Sequence, residues 1–193
     1  LVFWQLPFGI FSTSITTVLF PKMSREFTRN DYKNLRATVT YGLRFLFVLL
    51  IPSSIVLMLQ GAGIISVTLQ RGAFTAANTS MAADVLLYYS FGLFSVGAFT
   101  FLQRFFYAIG NYRVPLYTAA LVCAVDIALS LWLKETFLRV RGLALANSLS
   151  FTLGLIILLF HSSKLIGGFE WKEMLKSFWK TLVPLPIIII YSI

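Results

Sequence analysis

The sequence contains uncharged apolar runs of the length that a helix needs to cross a lipid bilayer. A hydrocarbon core about 30 Å thick requires roughly 20 residues of α-helix. Three runs near this length lack Asp, Glu, Lys and Arg altogether: residues 1–20, 85–103 and 143–160. Each of these runs predicts a transmembrane helix.

Two further apolar stretches carry a single charge, Arg44 in residues 37–59 and Asp126 in residues 114–133. A last apolar run, residues 181–193, is too short to complete a span and reaches the end of the sequence without a polar flank. We therefore predict an all-α, polytopic transmembrane helix bundle of about six helices, the last truncated, near residues 1–20, 37–59, 83–107, 114–133, 142–162 and 175–193. The first residue is equally abrupt, and we expect the sequence to be a segment of a longer protein.

Composition and charge agree with a membrane solvent. Hydrophobic residues make up 58% of the chain and charged residues 12%, whereas soluble domains have about 25% charged residues. The net charge of +9 would suggest a nucleic-acid partner in a soluble protein. Here the basic residues cluster between the apolar runs, as the positive-inside rule predicts for cytoplasmic loops, so we expect membrane lipids and no nucleic acid as partners.

Alternate loops differ in basic residues, and the difference predicts the orientation of the chain. The first, third and fifth loops contain ten Lys and Arg residues, against four in the second and fourth. The odd loops are therefore predicted to be cytoplasmic. Pro21 predicts the end of the first helix, residues 21–36 an interfacial helix, and residues 61–83 a short helix on the outer surface.

Charges within the predicted spans are the first candidates for function, because a charged side chain inside a bilayer is costly. Arg44 lies about two turns inside its helix and either snorkels to the headgroups or lines a cavity. Arg104 lies near the cytoplasmic end of the third helix beside aromatic residues, where snorkelling is the favoured interpretation. Asp126 lies roughly 18 Å from the boundary, too deep for a short carboxylate to reach water, and requires a proton, a cation or a hydrated cavity.

Polar residues near Asp126 predict a cation or proton site. Ser130 lies one turn further along the same face, and Asn147 and Ser148 on the next helix could face this pair. Hard oxygen ligands of this kind suit an alkali cation or a proton relay, and the alternative is a protonated packing residue.

Enzyme signatures are missing from the sequence. It has no phosphate-binding glycine loop, no nucleophile elbow and no His/Cys metal-ligand spacing. Cys123 and His161 are each the single residue of their type, so no internal disulfide can form and no metal centre is predicted. We expect neither catalytic residues nor a resident cofactor.

Several ordered motifs resemble one family of membrane transporters. The longest is residues 6–25, LPFGIFSTSITTVLFPKMSR, followed by a connector ending in Asn34-Leu35-Arg36. Shorter matches are GLR at 42–44, QRGAFT at 70–75, RFFYA at 104–108, RVP at 113–115 and GLALANSL at 142–149. Together they cover roughly residues 1–165, and the chain resembles the second lobe of the MurJ (MviN) family of lipid II flippases, within the multidrug/oligosaccharidyl-lipid/polysaccharide exporter superfamily.

The resemblance implies a transporter that flips lipid II, an undecaprenyl-pyrophosphate-linked peptidoglycan precursor, across the bacterial cytoplasmic (inner) membrane by alternating access between two lobes. Residues 1–165 would begin at the second helix of the C-terminal lobe, and residues 166–193 would form a cytoplasmic connector and the start of an additional helix. The N-terminal lobe would be the partner that this sequence lacks.

Two groups of candidate site residues follow from the resemblance. Arg44 and Arg104 are candidates for binding the substrate pyrophosphate. The predicted cation-binding set is Asp126, Ser130, Asn147 and Leu143, with sodium or a proton as the coupling ion. Asp126 falls where the family usually has Asn, and Ser130 where sodium-binding members have Asp, so the carboxylate is shifted by one turn.

Two other functions remain open from the sequence. A polysaccharide or multidrug exporter of the same superfamily would share the helix packing without the motif at residues 6–25. A membrane scaffold that transports nothing would not need the several arginines that a flippase should carry in its first two helices, upstream of this sequence.

Overall fold

The computed structural model describes residues 3–70, 74–136 and 140–169. Within these ranges the chain forms helices and no strands. Three helices are long and apolar enough to cross a membrane, and a bent pair of helices would supply a fourth span. The predicted all-α bundle is confirmed, and the sixth predicted helix, 175–193, lies outside the described residues.

The first helical segment is longer than predicted and contains a local distortion. It runs through α1 (Gln5–Pro7), a π-helical turn (Phe8–Ser12) and α2 (Thr13–Thr28). The prediction that the helix ends at Pro21 is wrong, because α2 continues for two more turns. Met23 is fully buried in these turns. Its packing offsets the cost of the backbone hydrogen bond that is lost at Pro21.

A tight turn replaces the predicted interfacial helix between the first two spans. Asn30 adopts a positive φ of 56° at the end of α2, and Asp31 accepts a hydrogen bond of 3.1 Å from the backbone N–H of Asn34 to cap α3 (Tyr32–Leu69). The Asp31 carboxylate accepts hydrogen bonds from the backbone N–H and the side chain of Asn34. These bonds stabilise its charged form and lower the pKa of Asp31 below its ordinary value of 3.8. The prediction of a short surface helix at 61–83 is also wrong, since residues 61–69 complete α3 and residues 76–83 begin the next helix.

The third predicted span is two helices rather than one. α4 (Ala76–Phe91) and α5 (Leu93–Ala108) meet at an angle of 45° around Gly92. A Cβ on Gly92 would lie 2.8 Å from the Cα of Ser148, so a larger residue would collide with the backbone of α7. The bend therefore occurs where a neighbouring helix approaches closely.

The last two described helices match their predicted ranges closely. α6 (Arg113–Lys134) and α7 (Val140–Ile166) pack against each other, and α7 also packs against α4 and α5. The core joins α2, α3 and α5 through buried side chains that include Met23, Leu35, Leu46, Phe101 and Phe105. Large apolar side chains remain exposed on α6 and α7, as expected for faces in contact with lipid: Leu121, Ile127, Leu131, Leu153 and Ile156.

Candidate functional site

Arg104 lines a cavity between α2 and α5, which we call the hydroxyl cavity. It has a volume of about 410 Å³. Its lining residues are Ser12, Thr13, Thr16, Thr17, Phe20, Pro21, Thr100 and Arg104. Five of the eight carry a hydroxyl group, and Arg104 is the one charged residue among them.

Most of the hydroxyl groups in this cavity already donate their proton to the backbone. Thr16 and Thr17 donate to the carbonyls one turn earlier at 2.6 and 2.8 Å, Thr100 does the same at 2.9 Å, and Ser12 donates to the Gly97 carbonyl across the helix interface at 3.3 Å. A hydroxyl that donates in this way keeps oxygen lone pairs for a ligand. The cavity therefore offers hydrogen-bond acceptors together with one guanidinium cation.

Arg44 lines a different cavity, between α2 and α3, which we call the α2–α3 cavity. Its volume is about 580 Å³. Its lining residues are Lys22, Glu26, Asn34, Ala37, Thr38, Thr40, Tyr41 and Arg44. The sequence proposed Arg44 and Arg104 for one substrate, and the structure does not bring them into one cavity.

Asp126 and Asn147 meet across the α6–α7 interface. The side-chain amide of Asn147 lies within interaction range of the Asp126 carboxylate, and the phenol of Tyr89 on α4 lies close enough to interact with its charge. The Oδ1 atom of Asp126 is buried and has no hydrogen-bond partner among the described residues. Tyr89 was not a candidate in the sequence, and its ring stacks on Trp4 at 5.6 Å.

The other predicted members of the cation set lie on the same two helices. Ser130 is partly buried on α6, and Leu143 is exposed at the beginning of α7. No hydrogen bond joins either residue to Asp126 within the part of the chain that the structure describes. The structure therefore brings together Asp126 and Asn147, and leaves Ser130 and Leu143 as neighbours on their helices.

Ser148, which the sequence also placed opposite Asp126 and Ser130, makes its hydrogen bond to α4. One residue along a helix turns the side chain by about 100°, so Asn147 and Ser148 point to different neighbours. Ser148 donates a hydrogen bond of 2.7 Å to the carbonyl of Tyr88, next to the bend at Gly92. This hydrogen bond pairs a backbone group of α4, and a contribution of Ser148 to the Asp126 site stays a prediction.

Sequence reasoning missed the hydroxyl cavity as a unit. Ser12, Thr13, Thr16 and Thr17 recur at the spacing that places side chains on one helix face, and this periodicity was the available signal. Arg104 joins them only through the packing of α5 against α2. No group of three or more His, Cys, Asp or Glu residues suited to a metal ion occurs among residues 3–70, 74–136 and 140–169.

Comparison with known proteins gives one consistent family. A family model described as "Lipid II flippase MurJ" matches residues 1–193. The chain is 31% identical over 191 residues to the "Probable lipid II flippase MurJ" of Borreliella burgdorferi, covering 98% of this chain and 38% of that protein. It is 30% identical to the "Lipid II flippase MurJ" of Thermosipho africanus, covering 96% of this chain and 37% of that protein.

A solved structure agrees with these matches. The "Lipid II flippase MurJ, inward closed conformation" superposes with a TM-score of 0.85 at 29% sequence identity, covering 99% of this chain and 39% of that one. The chain thus spans a little over a third of the length of the proteins it matches. The helical membrane bundle and the matches over its whole length have one explanation: this chain is part of a multi-pass membrane protein and belongs to the lipid II flippase MurJ family.

Proposed function

We propose that this chain forms part of a transporter that flips lipid II across the bacterial cytoplasmic membrane by alternating access. The observation that supports this most directly is the hydroxyl cavity, where a cation and a set of hydrogen-bond acceptors line one space. Arg104 would bind a pyrophosphate oxygen through a charge-assisted hydrogen bond. The hydroxyl oxygens would accept hydrogen bonds from sugar hydroxyls or peptide amides of the substrate.

The rest of the protein is part of the same proposal. Residues 1–165 would belong to the second of two lobes, and residues 166–193 would form a connector and an additional helix, of which 170–193 lie outside the described part. The first lobe would supply the remaining substrate-binding groups. Transport requires binding and a conformational change but no covalent step, so we propose no catalytic residue.

Replacing Arg104 by Ala in the full-length protein tests the substrate site. We expect Arg104→Ala to abolish complementation of a flippase-depleted strain and to reduce lipid II flipping, because the pyrophosphate would lose its cation. Arg25→Ala is the matched control, since Arg25 is exposed at the end of α2 and lines neither cavity. Lys172→Ala provides a second basic control. Normal flipping by Arg104→Ala at normal expression would contradict the assignment.

Arg44 needs a separate measurement because it lines the other cavity. If Arg44 also contributes to substrate binding, Arg44→Ala should reduce flipping even when lipid composition is held constant. A defect that depends on the surrounding phospholipid instead of on lipid II would assign Arg44 to a role outside the substrate path.

We also propose that Asp126 responds to sodium or to a proton during transport, with Asn147, Ser130 and Leu143 as its neighbours in the site. A buried carboxylate oxygen without a partner favours a bound cation or proton. Such an ion can shift the transport cycle only by binding one conformation more tightly than the other.

Asp126→Asn separates charge from shape at this position. We expect slower flipping with a flattened dependence on sodium or pH, at unchanged expression. Asp31→Asn makes the same chemical change at a partly exposed helix cap and serves as the control. Unchanged ion dependence in Asp126→Asn would make Asp126 a structural residue.

A further inference from the structure

Two buried polar atoms in the α2–α3 cavity lack a hydrogen-bond partner. They are Oε2 of Glu26 and Oγ1 of Thr40, and neither finds a partner within the described ranges of the chain. The Glu26 side chain is 13% exposed and Thr40 is 1% exposed. Buried polar groups are almost always paired with protein, water or a ligand, so this cavity has the features of a binding site.

Glu26 determines what kind of group the cavity can accept. Its Oε1 atom already receives a hydrogen bond of 3.0 Å from Thr38 and lies 3.8 Å from the Lys22 ammonium. Its Oε2 atom is an acceptor only, and therefore requires a ligand that donates an N–H or O–H. A bare anion would meet repulsion from this carboxylate and would leave Oε2 unpaired.

The opposite charges in the cavity require a second group on the same ligand. Lys22 and Arg44 line the cavity beside Glu26, and the Thr40 hydroxyl can donate to an oxyanion. These groups suit a phosphate. A ligand that satisfies the whole lining therefore carries both a phosphate and a hydrogen-bonding cation.

The depth of the cavity points to the lipid headgroup layer. α3 has 38 residues and is about 57 Å long at 1.5 Å per residue, much longer than the hydrocarbon core of about 30 Å. The α3 residues that line the cavity lie between Asn34 and Arg44, near the beginning of this helix. The distribution of basic residues predicts that this end is cytoplasmic, where headgroups of the inner leaflet are available.

We propose that the α2–α3 cavity binds the headgroup of an ethanolamine phospholipid. The primary ammonium donates to Oε2 of Glu26, and the phosphate lies between Lys22 and Thr40 with Arg44 nearby. A choline headgroup has the same charge but no N–H to donate, and a glycerol headgroup lacks the cation. The site shares Arg44 with the candidate substrate-binding residues, but it includes neither the hydroxyl cavity nor Asp126.

Native mass spectrometry of the full-length protein with lipids of identical acyl chains tests the site. We expect phosphatidylethanolamine to bind about tenfold more tightly than phosphatidylcholine, since one charge-assisted hydrogen bond contributes roughly this factor. Glu26→Gln keeps the acceptor for Thr38 and should remove the preference, whereas Glu135→Gln, at an exposed position after α6, should retain it.

A second variant covers the case in which Glu26→Gln fails to fold. Thr40→Val has nearly the same shape and should weaken binding of phosphatidylethanolamine and phosphatidylcholine equally, because it removes a donor to the phosphate they share. Equal binding of the two lipids by the unmodified protein, tighter binding of phosphatidylglycerol, or an ethanolamine preference that persists in Glu26→Gln would overturn the proposal. Equally strong binding of soluble phosphoethanolamine would overturn the assignment to a membrane lipid.

Discussion

Replacing Gly154 by Ala should destabilise the bundle, because this glycine lies where α7 packs closely against α5 and α6. A Cβ at position 154 would lie 2.8 Å from Cε2 of Phe99 and still closer to a methyl group of Val122. Carbon atoms normally approach to about 3.5–4.0 Å. The Phe99 ring also packs edge-on against Phe151 at 5.3 Å, so it has little room to move.

The expected cost follows from two opposing terms. Overpacking a dense interface costs about 1–3 kcal/mol, and two close neighbours favour the upper end. Alanine regains about 1 kcal/mol of helix propensity over glycine. The net destabilisation is then about 2 kcal/mol.

Gly63→Ala is the matched control, since Gly63 lies within α3 and a Cβ there would meet no atom within 4 Å. This substitution should stabilise the protein by about 0.5–1 kcal/mol. The two variants, and Gly154→Ala combined with Val122→Ala, can be compared by thermal unfolding of the full-length protein in one detergent. The reasoning requires opposite shifts for the two glycines and partial recovery in the double variant, and it fails if both single variants shift in the same direction.

Three further predictions concern orientation, a helix cap and the bend. In a background without the native cysteine, Ser80→Cys should react with a membrane-impermeant maleimide on intact cells and Lys33→Cys should not; the reverse pattern would invert the proposed topology. The lowered pKa of Asp31 means that its contribution to stability is complete above its ordinary pKa of 3.8 and is lost as pH falls through the lower folded value. The stability of Asp31→Asn, measured against pH, should therefore lack this acid loss, and identical profiles would exclude a role for the charge. Ser148→Ala should lower stability by about 0.6 kcal/mol, the average for a hydrogen bond between membrane helices, and by no more than about 1.7 kcal/mol, because it removes the donor to the Tyr88 carbonyl. An unfolding temperature equal to that of the unmodified protein would show that another donor replaces it.

The existence of the spans could be predicted because crossing a bilayer imposes a length and a composition on each helix. The prediction of 114–133 differs from α6, Arg113–Lys134, by one residue at each end. The predicted ends of helices were wrong where a helix extends beyond the hydrocarbon core. An apolar run indicates only the part of a helix that contacts lipid. The extra turns of α2 and α3 are stabilised instead by packing of residues such as Met23 and Leu35.

Candidate site residues could be identified by their cost in a membrane, but their partners could not. Asp126 and Arg104 stand out because each places a charge or polar group among apolar residues. Whether Arg44 and Arg104 share a cavity depends on which faces of α2, α3 and α5 meet, and this is decided by side-chain packing between distant segments. The sequence did not identify Glu26 and Thr40 as candidates, because their burial arises from the close approach of α2 and α3.

The bend at Gly92 shows why a glycine alone did not predict a break. In a regular helix the Gly92 N–H would bond to the Tyr88 carbonyl, but here it bonds to the Tyr89 carbonyl at 3.1 Å. The Tyr88 carbonyl instead accepts from Ser148 of α7, and the Ser90 carbonyl accepts from Ser54 of α3. An unpaired carbonyl is too costly in lipid to leave exposed, so the break depends on hydroxyl donors that arrive from two other helices. The residues that permit the bend therefore lie on three helices, α3, α4 and α7. The bend can be predicted only when the packing of these helices is known.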